Sequence, residues 1–348
     1  MPPAISPAAS GPAISVVIPH LNQPELLAAC LRGLAAQADA PACETIVVDN
    51  GSAAPPAALC DEFGARLLHE PVPGPGPARS RGAAAARAPI VAFIDADGVA
   101  DPDWLATIAA AMADPALDVI GGEVRIAPRQ PDRLTAVEAF ESVYGYRMRL
   151  YIERDAYVAT CNMAVRREVF AAVGPFAGIE AAEDMDWGRR ATALGYRLGY
   201  VPGMRVATPA RRDFAELARK WDRHIAHFFA ENRTRPLAGP RWLVQAALVA
   251  ASPLGEPPTI WRSDRLDRGA DRGRALAGVT RLRLYRARQM LRLALGADPA
   301  ALAAGWRRPD AGAPPDAGAP PDPAPPGPRP GPDQGPGAAD LAIRSRQR

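Results

Sequence analysis

A chain of 348 residues, 48% hydrophobic and 23% charged, carries enough apolar material for one large or two small domains with a substantial core. Its 41 basic and 38 acidic side chains leave a net charge of +3, spread unevenly: residues 1–261 stand at −4, residues 262–308 at +8 and the remainder at −1. A basic nucleic-acid-binding body is excluded on that distribution, while the 262–308 stretch suits an anionic surface.

Twelve of the 39 prolines fall between Pro309 and Pro336, so a folded body is expected to end in a disordered tail. Cys30, Cys43, Cys60 and Cys161 have neither metal-ligand nor redox spacing, and Met1–Pro12 has neither an apolar core nor a basic lead. Reduced thiols and a cytoplasmic location are the expectation. The longest apolar run, Trp242–Ala251, is interrupted by Gln245 and too short to span a bilayer.

From Ala13 onward, short β-rich runs alternate with helical periodicity. Ile14–Ile18 reads as a buried strand stopped by Pro19, Glu25–Ala36 as a helix, and Thr45–Val48 as a strand ending at the turn Asp49-Asn50-Gly51-Ser52. A weaker helix over Ala57–Phe63 precedes a strand at Arg66–Leu68, and a Pro/Gly loop at Pro71–Pro77 leads into a helix over Ala78–Arg87. Ile90–Ile94 is the clearest buried strand; Pro102–Met112 is helical, with its proline in the first turn. Beyond a strand at Leu117–Ile120, Asp132–Tyr151 reads as a helix or helical loop, Asn162–Val165 as a strand, and Glu183–Leu194, Phe214–Glu231 and residues 273–296 as helices. The alternation predicts an α/β protein with a mostly parallel, Rossmann-like sheet flanked by helices.

Ligands of open α/β sheets bind outside the carboxyl ends of the strands. Here His20 and Asn22 follow the first strand, Asp49 the second, and Asp95 and Asp97 the fourth. Asp and Asn favour turns, so each alone says little; their recurrence at neighbouring strand ends points to a site. Two carboxylates at i, i+2 after an apolar strand can face a hard cation and a diphosphate, which suits Mg²⁺ or Mn²⁺. Glu183, Asp184 and Asp186 open a helix, where acids also suit the dipole; one of them is placed to act as a general base.

These segments resemble family 2 glycosyltransferases of the GT-A fold. The resemblance rests on ISVVIPHLN, IVVDNGS, GPGPARSRGAAAARAPIVAFIDADGVADPDWL, TCNMAVRREVFAAVGPF and AAEDMDWGRRATALGYRLGYVP, in that order from about Ala13 to Glu231. It implies that Asp49 contacts the nucleotide base with Pro19 and Asn22 in the same pocket, that Arg79 sits on the base or phosphate side, and that Asp95 meets the ribose. Asp97 would ligate the Mn²⁺ or Mg²⁺ that bridges the diphosphate. Asp184 would be the catalytic base of an inverting displacement, with Glu183 beside it at the acceptor. A UDP-sugar is the expected donor and a hydroxyl compound the acceptor.

Two departures stand out. Ser80 replaces an asparagine common after the arginine, and Thr208-Pro209 occupies the stretch where a metal-contacting histidine is common. His224 and His227 read as packing or surface residues, Cys161 as a small buried one and Trp187 as core. Ala238 stands where processive synthases have glutamine before Arg241-Trp242, which favours transfer of a single sugar. A nucleotidyltransferase, or a nucleotide-binding family member without turnover, is the alternative. The domain plan is a disordered 1–12, a catalytic domain over 13–235, a helical extension over 236–308 and a disordered tail over 309–348. Leucines and arginines alternating within 242–296 suggest peripheral contact with a membrane.

Overall fold

Buried apolar runs set the strands of the computed structural model, which describes residues 11–130, 132–178, 182–234 and 236–304. The tail at 309–348 and nearly all of the 1–12 segment lie outside the described residues. The chain forms two units, one taking it to Ala210 together with Ser263–Ala275, the other comprising Arg211–Arg262 and the chain from Leu276 on.

The first unit contains β1 (Ile14–His20), α1 (Pro24–Ala35), β2 (Cys43–Asp49), α2 (Ala57–Glu62), β3 (Arg66–His69), α3 (Pro75–Ala85) and β4 (Ile90–Ile94). It continues with β5 (Val99–Ala100), α4 (Trp104–Met112), β6 (Val119–Ala127), α5 (Ala136–Tyr144), α6 (Met148–Glu153), β7 (Asn162–Arg166), α7 (Arg167–Val173), α8 (Glu183–Ala193) and β8 (Leu198–Pro209). The eight strands make one sheet in the order β3-β2-β1-β4-β7-β6-β8-β5. Strands β3, β2, β1 and β4 are parallel neighbours; β7 then runs antiparallel to both β4 and β6, and β6 pairs in parallel with β8.

Successive residues of one strand serve opposite faces. Val91 and Phe93 of β4 belong to one core cluster with α3, α7 and α8; Ala92 and Ile94 belong to a second with α1 and α4. Burial on both faces explains why these strands read as unbroken apolar runs.

Three local expectations need correction. Pro19 lies inside β1 rather than ending it: pairing with β4 stops at Val17↔Phe93, but pairing with β2 continues through Pro19↔Val48 and His20↔Asp49. Helix α3 starts three residues earlier, at Pro75, because a proline in the first turn forfeits no helical hydrogen bond. The stretch 132–151 is two helices. Thr135 and Glu138 form a capping box that starts α5 at Ala136, and the chain leaves the helix after Tyr144 before α6 begins.

The second unit contains α9 (Phe214–Arg233), α10 (Ala238–Ala251), a 3₁₀ turn at Ser252–Gly255, α11 (Pro257–Trp261), α12 (Gly269–Ala294), whose residues from Leu276 belong here, and α13 (Pro299–Ala304). Ile225, Trp242, Ala246, Met290 and Leu293 form its core, and the Trp242 indole donates to the Met290 carbonyl at 2.8 Å. Tyr285 donates to the Asp222 carboxylate at 2.9 Å. Among the described residues, no helix is long and apolar enough to cross a membrane.

Candidate active site

The sheet brings the carboxyl ends of β2, β1 and β4 side by side. At the first two, His20 Nδ1 lies 3.2 Å from Asp49 Oδ1, while His20 Nε2 accepts from the Gln23 backbone N–H. That acceptor role places the ring proton on Nδ1, so a neutral His20 donates to Asp49. The Ser52 backbone N–H donates to Asp49 Oδ2 at 3.1 Å. Burial pushes the Asp49 carboxyl up, but the hydrogen bonds from Ser52 and His20 outweigh it and hold Asp49 below its ordinary value. Asn22 adopts φ +52°, tolerated by its short amide, and its Oδ1 accepts from the Ala53 N–H at 2.9 Å. Asn22 is exposed and Pro19 half-buried, whereas Asp49 is sealed.

Beside this turn network lies a second cluster, built around Arg79 of α3. Its side chain is only 5% exposed, and it donates to Asp95 Oδ1 at 2.5 Å and to Glu183 Oε1 at 3.0 Å. Burial works against the guanidinium charge, yet the carboxylates of Asp95 and Glu183 keep its pKa above that of an ordinary arginine. One side chain therefore ties the end of β4 to the start of α8. The position of α3 is set nearby: Ser80 Oγ accepts from the Phe176 N–H at 2.9 Å, and Gly76 passes so close to the Ala177 carbonyl that a Cβ there would collide with it. Serine at position 80 thus has a structural job of its own.

Helix α8 is bolted to its surroundings below this point. Trp187 is core, as expected: its ring stacks on Phe170 at 5.7 Å and its indole donates to the Gly174 carbonyl at 2.9 Å. Arg190 donates to the carbonyls of Val173 and Pro175 and pairs with Asp186 at 3.0 Å. Of the three acids that open the helix, Glu183 is neutralised by Arg79 and Asp186 by Arg190. Asp184 makes no ion pair among the described residues. Its Oδ1 accepts from the Met185 N–H at 2.8 Å. Burial first, and the charge of Glu183 second, push the Asp184 carboxyl from 3.8 to about 6.

Cys161 reports that these groups share one neighbourhood. Burial, then the Asp95 charge, lift its thiol well above the ordinary value; Asp184 and Asp97 act in the same direction and Arg79 against it. Asn162, next in the chain, fastens this end of the sheet. Its amide donates to the Glu123 and Met204 carbonyls at 2.9 and 2.8 Å and accepts from the Trp104 indole at 2.9 Å.

Two tyrosines escaped the sequence reading. Tyr151 and Tyr157 stack with ring centroids 5.0 Å apart, and burial, with a contribution from the Asp184 charge, raises the pKa of both. Ala156, at φ +57°, turns the chain between them; alanine carries no turn signal in sequence. Tyr157 packs directly on Gly188 of α8, where a Cβ would lie 2.5 Å from the tyrosine Cβ.

Asp97 is half-buried, two residues beyond Asp95. Thr208 is buried in β8 and pairs with Ile126, so no imidazole stands at that position. His224 belongs to the second unit, where it packs against Trp221 and Phe228, and burial together with nearby Lys220 and Arg223 lowers its pKa to about 4. No group of three or more His, Cys, Asp or Glu side chains able to hold a metal occurs among the described residues.

Comparison with known proteins gives the family and the fold. Residues 15–174 match the family model for glycosyl transferase family 2. Glycosyltransferase AglE of Haloferax volcanii is 30% identical over 217 residues, covering 60% of this chain and 70% of that relative. The chain belongs to glycosyltransferase family 2. An uncharacterized glycosyltransferase of Mycobacterium tuberculosis is 40% identical over 116 residues, a third of this chain and half of that relative. In fold, this family 2 glycosyltransferase is similar to the mannosyltransferase PcManGT of Pyrobaculum calidifontis, solved with GDP-Man and Mn²⁺. The likeness has a TM-score of 0.51 at 19% identity and covers 82% of this chain and 87% of that one. The GT-A fold expected from sequence is the fold observed, and family membership removes the nucleotidyltransferase alternative.

Proposed function

We propose that this glycosyltransferase moves a single sugar from a nucleoside diphosphate donor to an acceptor hydroxyl, with inversion and with Asp184 as the general base. One observation carries the assignment. Among the described residues, Asp184 alone of the acids at the start of α8 makes no ion pair, and its pKa of about 6 suits a base that must be ionised near neutrality yet still able to take a proton. Asp184 draws the proton from the acceptor hydroxyl as that oxygen bonds to the anomeric carbon. The bond from that carbon to the diphosphate oxygen breaks, and the nucleoside diphosphate leaves. A single displacement of this kind inverts the anomeric centre.

Arg79 holds Asp95 by Oδ1, leaving Oδ2 to accept from a ribose hydroxyl, and it holds Glu183 beside the acceptor. Asn22 and Pro19 line the base pocket in this reading, while Asp49, sealed by its bonds to His20 and Ser52, holds the turn rather than meeting the base directly. Asp97, a half-buried carboxylate two residues beyond Asp95, would hold a hard cation such as Mn²⁺ or Mg²⁺. A bound Mn²⁺ or Mg²⁺ supplies charge neutralisation for the departing diphosphate.

UDP-sugars are the favoured donors. The GDP-Man bound by PcManGT makes guanosine donors the competitor to include. A thermal-shift screen of UDP, GDP and their sugars with and without Mn²⁺ tests this, since a ligand that binds the folded state raises the melting temperature. NMR of the transfer product should then show the anomeric configuration opposite to that of the donor. Retained configuration, or no nucleotide raising the melting temperature, contradicts the proposal.

A further inference from the structure

Large apolar side chains are exposed unevenly in this protein. Of the fifteen exposed among the described residues, ten lie in the unit of Arg211–Arg262 and the chain from Leu276, which holds fewer than a third of those residues. Residues 211–262 and 276–304 also carry 14 basic and 6 acidic side chains, a net +8, whereas residues 1–210 with 263–275 carry 21 and 27, a net −6. Apolar exposure and positive charge coincide in one unit.

Helix α12 shows how they combine. Val279, Leu282, Met290 and Leu293 are buried and satisfy its inner side. On the outer side Arg281, Leu284, Arg288, Leu291 and, just past the helix end, Leu295 follow at i, i+3, i+7, i+10 and i+14. That spacing puts them in one row, about 21 Å long. Leu284, Leu291 and Leu295 are 52, 45 and 89% exposed, so much of the apolar surface of this row is uncovered among the described residues. Arg281 is steadied by the Phe214 ring, 4.0 Å from its guanidinium carbon.

We propose that this row docks on an anionic lipid surface, with the three leucines entering the acyl boundary and Arg281 and Arg288 meeting lipid phosphates. A row alternating aliphatic and guanidinium groups matches the boundary between acyl chains and headgroups, and a unit at +8 is drawn to an anionic leaflet. A second copy of the chain is the poorer occupant, because a self-complementary pairing would set two such cationic rows face to face. A nucleic acid would satisfy the arginines and leave the leucines in water.

Vesicle flotation of the full chain tests the proposal. The protein should float with vesicles containing phosphatidylglycerol and not with phosphatidylcholine alone, and added salt should weaken the binding. Combined Leu284→Ser, Leu291→Ser and Leu295→Ser, and separately Arg288→Glu, should each lower the vesicle-bound fraction at least about tenfold. Both variants should keep the wild-type circular dichroism and nucleotide-induced melting shift, since all four residues are exposed. The proposal is overturned if the wild-type chain does not float with anionic vesicles, or if the variants float as it does. It is equally overturned if sedimentation shows a dimer that the leucine substitutions dissociate, because a second copy would then cover the row.

Discussion

Replacing Asp184 with asparagine should stabilise the protein while removing its activity, and the pH at which stability is gained is dictated by the site. The folded-state carboxyl titrates near 6 and its ordinary value is 3.8, so the folded protein binds the proton more tightly than the unfolded chain does. The stability linked to that proton is fully present below the unfolded value and is lost as pH rises through about 6. A shift of a little over 2 units corresponds to an upper bound of about 3 kcal/mol above pH 6. Asp184 is only half-buried, and solvent screening brings the expected gain from Asp184→Asn to about 1–2 kcal/mol. Ligand-free melts at pH 8 should show the variant about 2–6 °C above wild type. The difference should fall to about half at pH 5 and to about a fifth at pH 4. A variant that melts at or below wild type at pH 8, or whose advantage does not change with pH, refutes the reasoning.

Glu183→Gln removes the second cause of the elevated Asp184 pKa, so the acid limb of kcat/KM, expected near 6 in wild type, should move down by less than about 1 unit. An unmoved limb in a pH–rate profile would show that Glu183 does not act on the base. Gly188→Ala should drive α8 away from Tyr157, lowering stability by about 1–3 kcal/mol in denaturant melts and turnover at least about tenfold. Arg79→Met leaves two carboxylates facing each other without their shared cation; it should cost about 2 kcal/mol or more in the same melts, against no change if the clamp is incidental.

Where side-chain burial repeats over a few residues, the fold was legible. ISVVI, TIVV and IVAFI read as strands because both faces of β1, β2 and β4 are covered, and the acids at their ends followed from the same reading. Strand β8 is not among the elements that periodicity marks. It runs on to Pro209 past Pro202 and Gly203, residues that ordinarily signal a turn, because its pairing with β6 shifts register between Gly122 and Glu123 and resumes. The link least accessible to sequence was Arg79 with Glu183, which are 104 residues apart; arginine in this chain is too common to stand out. Tyr157 was missed because Ala156 turns the backbone without a turn residue. Asp184 was chosen over its neighbours from family resemblance, and the ion pairs of Glu183 and Asp186 now give a physical reason for that choice.

If Asp97 and Asp184 serve one bound donor in two distinct jobs, calorimetric titration of UDP with Mn²⁺, run beside a turnover assay, separates the two. Asp97→Asn should weaken Mn²⁺-dependent UDP binding at least about tenfold. Asp184→Asn should bind UDP as wild type does and lose turnover by a factor of about 10²–10⁴. Turnover persisting in Asp184→Asn, or equal loss of UDP binding in both variants, would contradict the account.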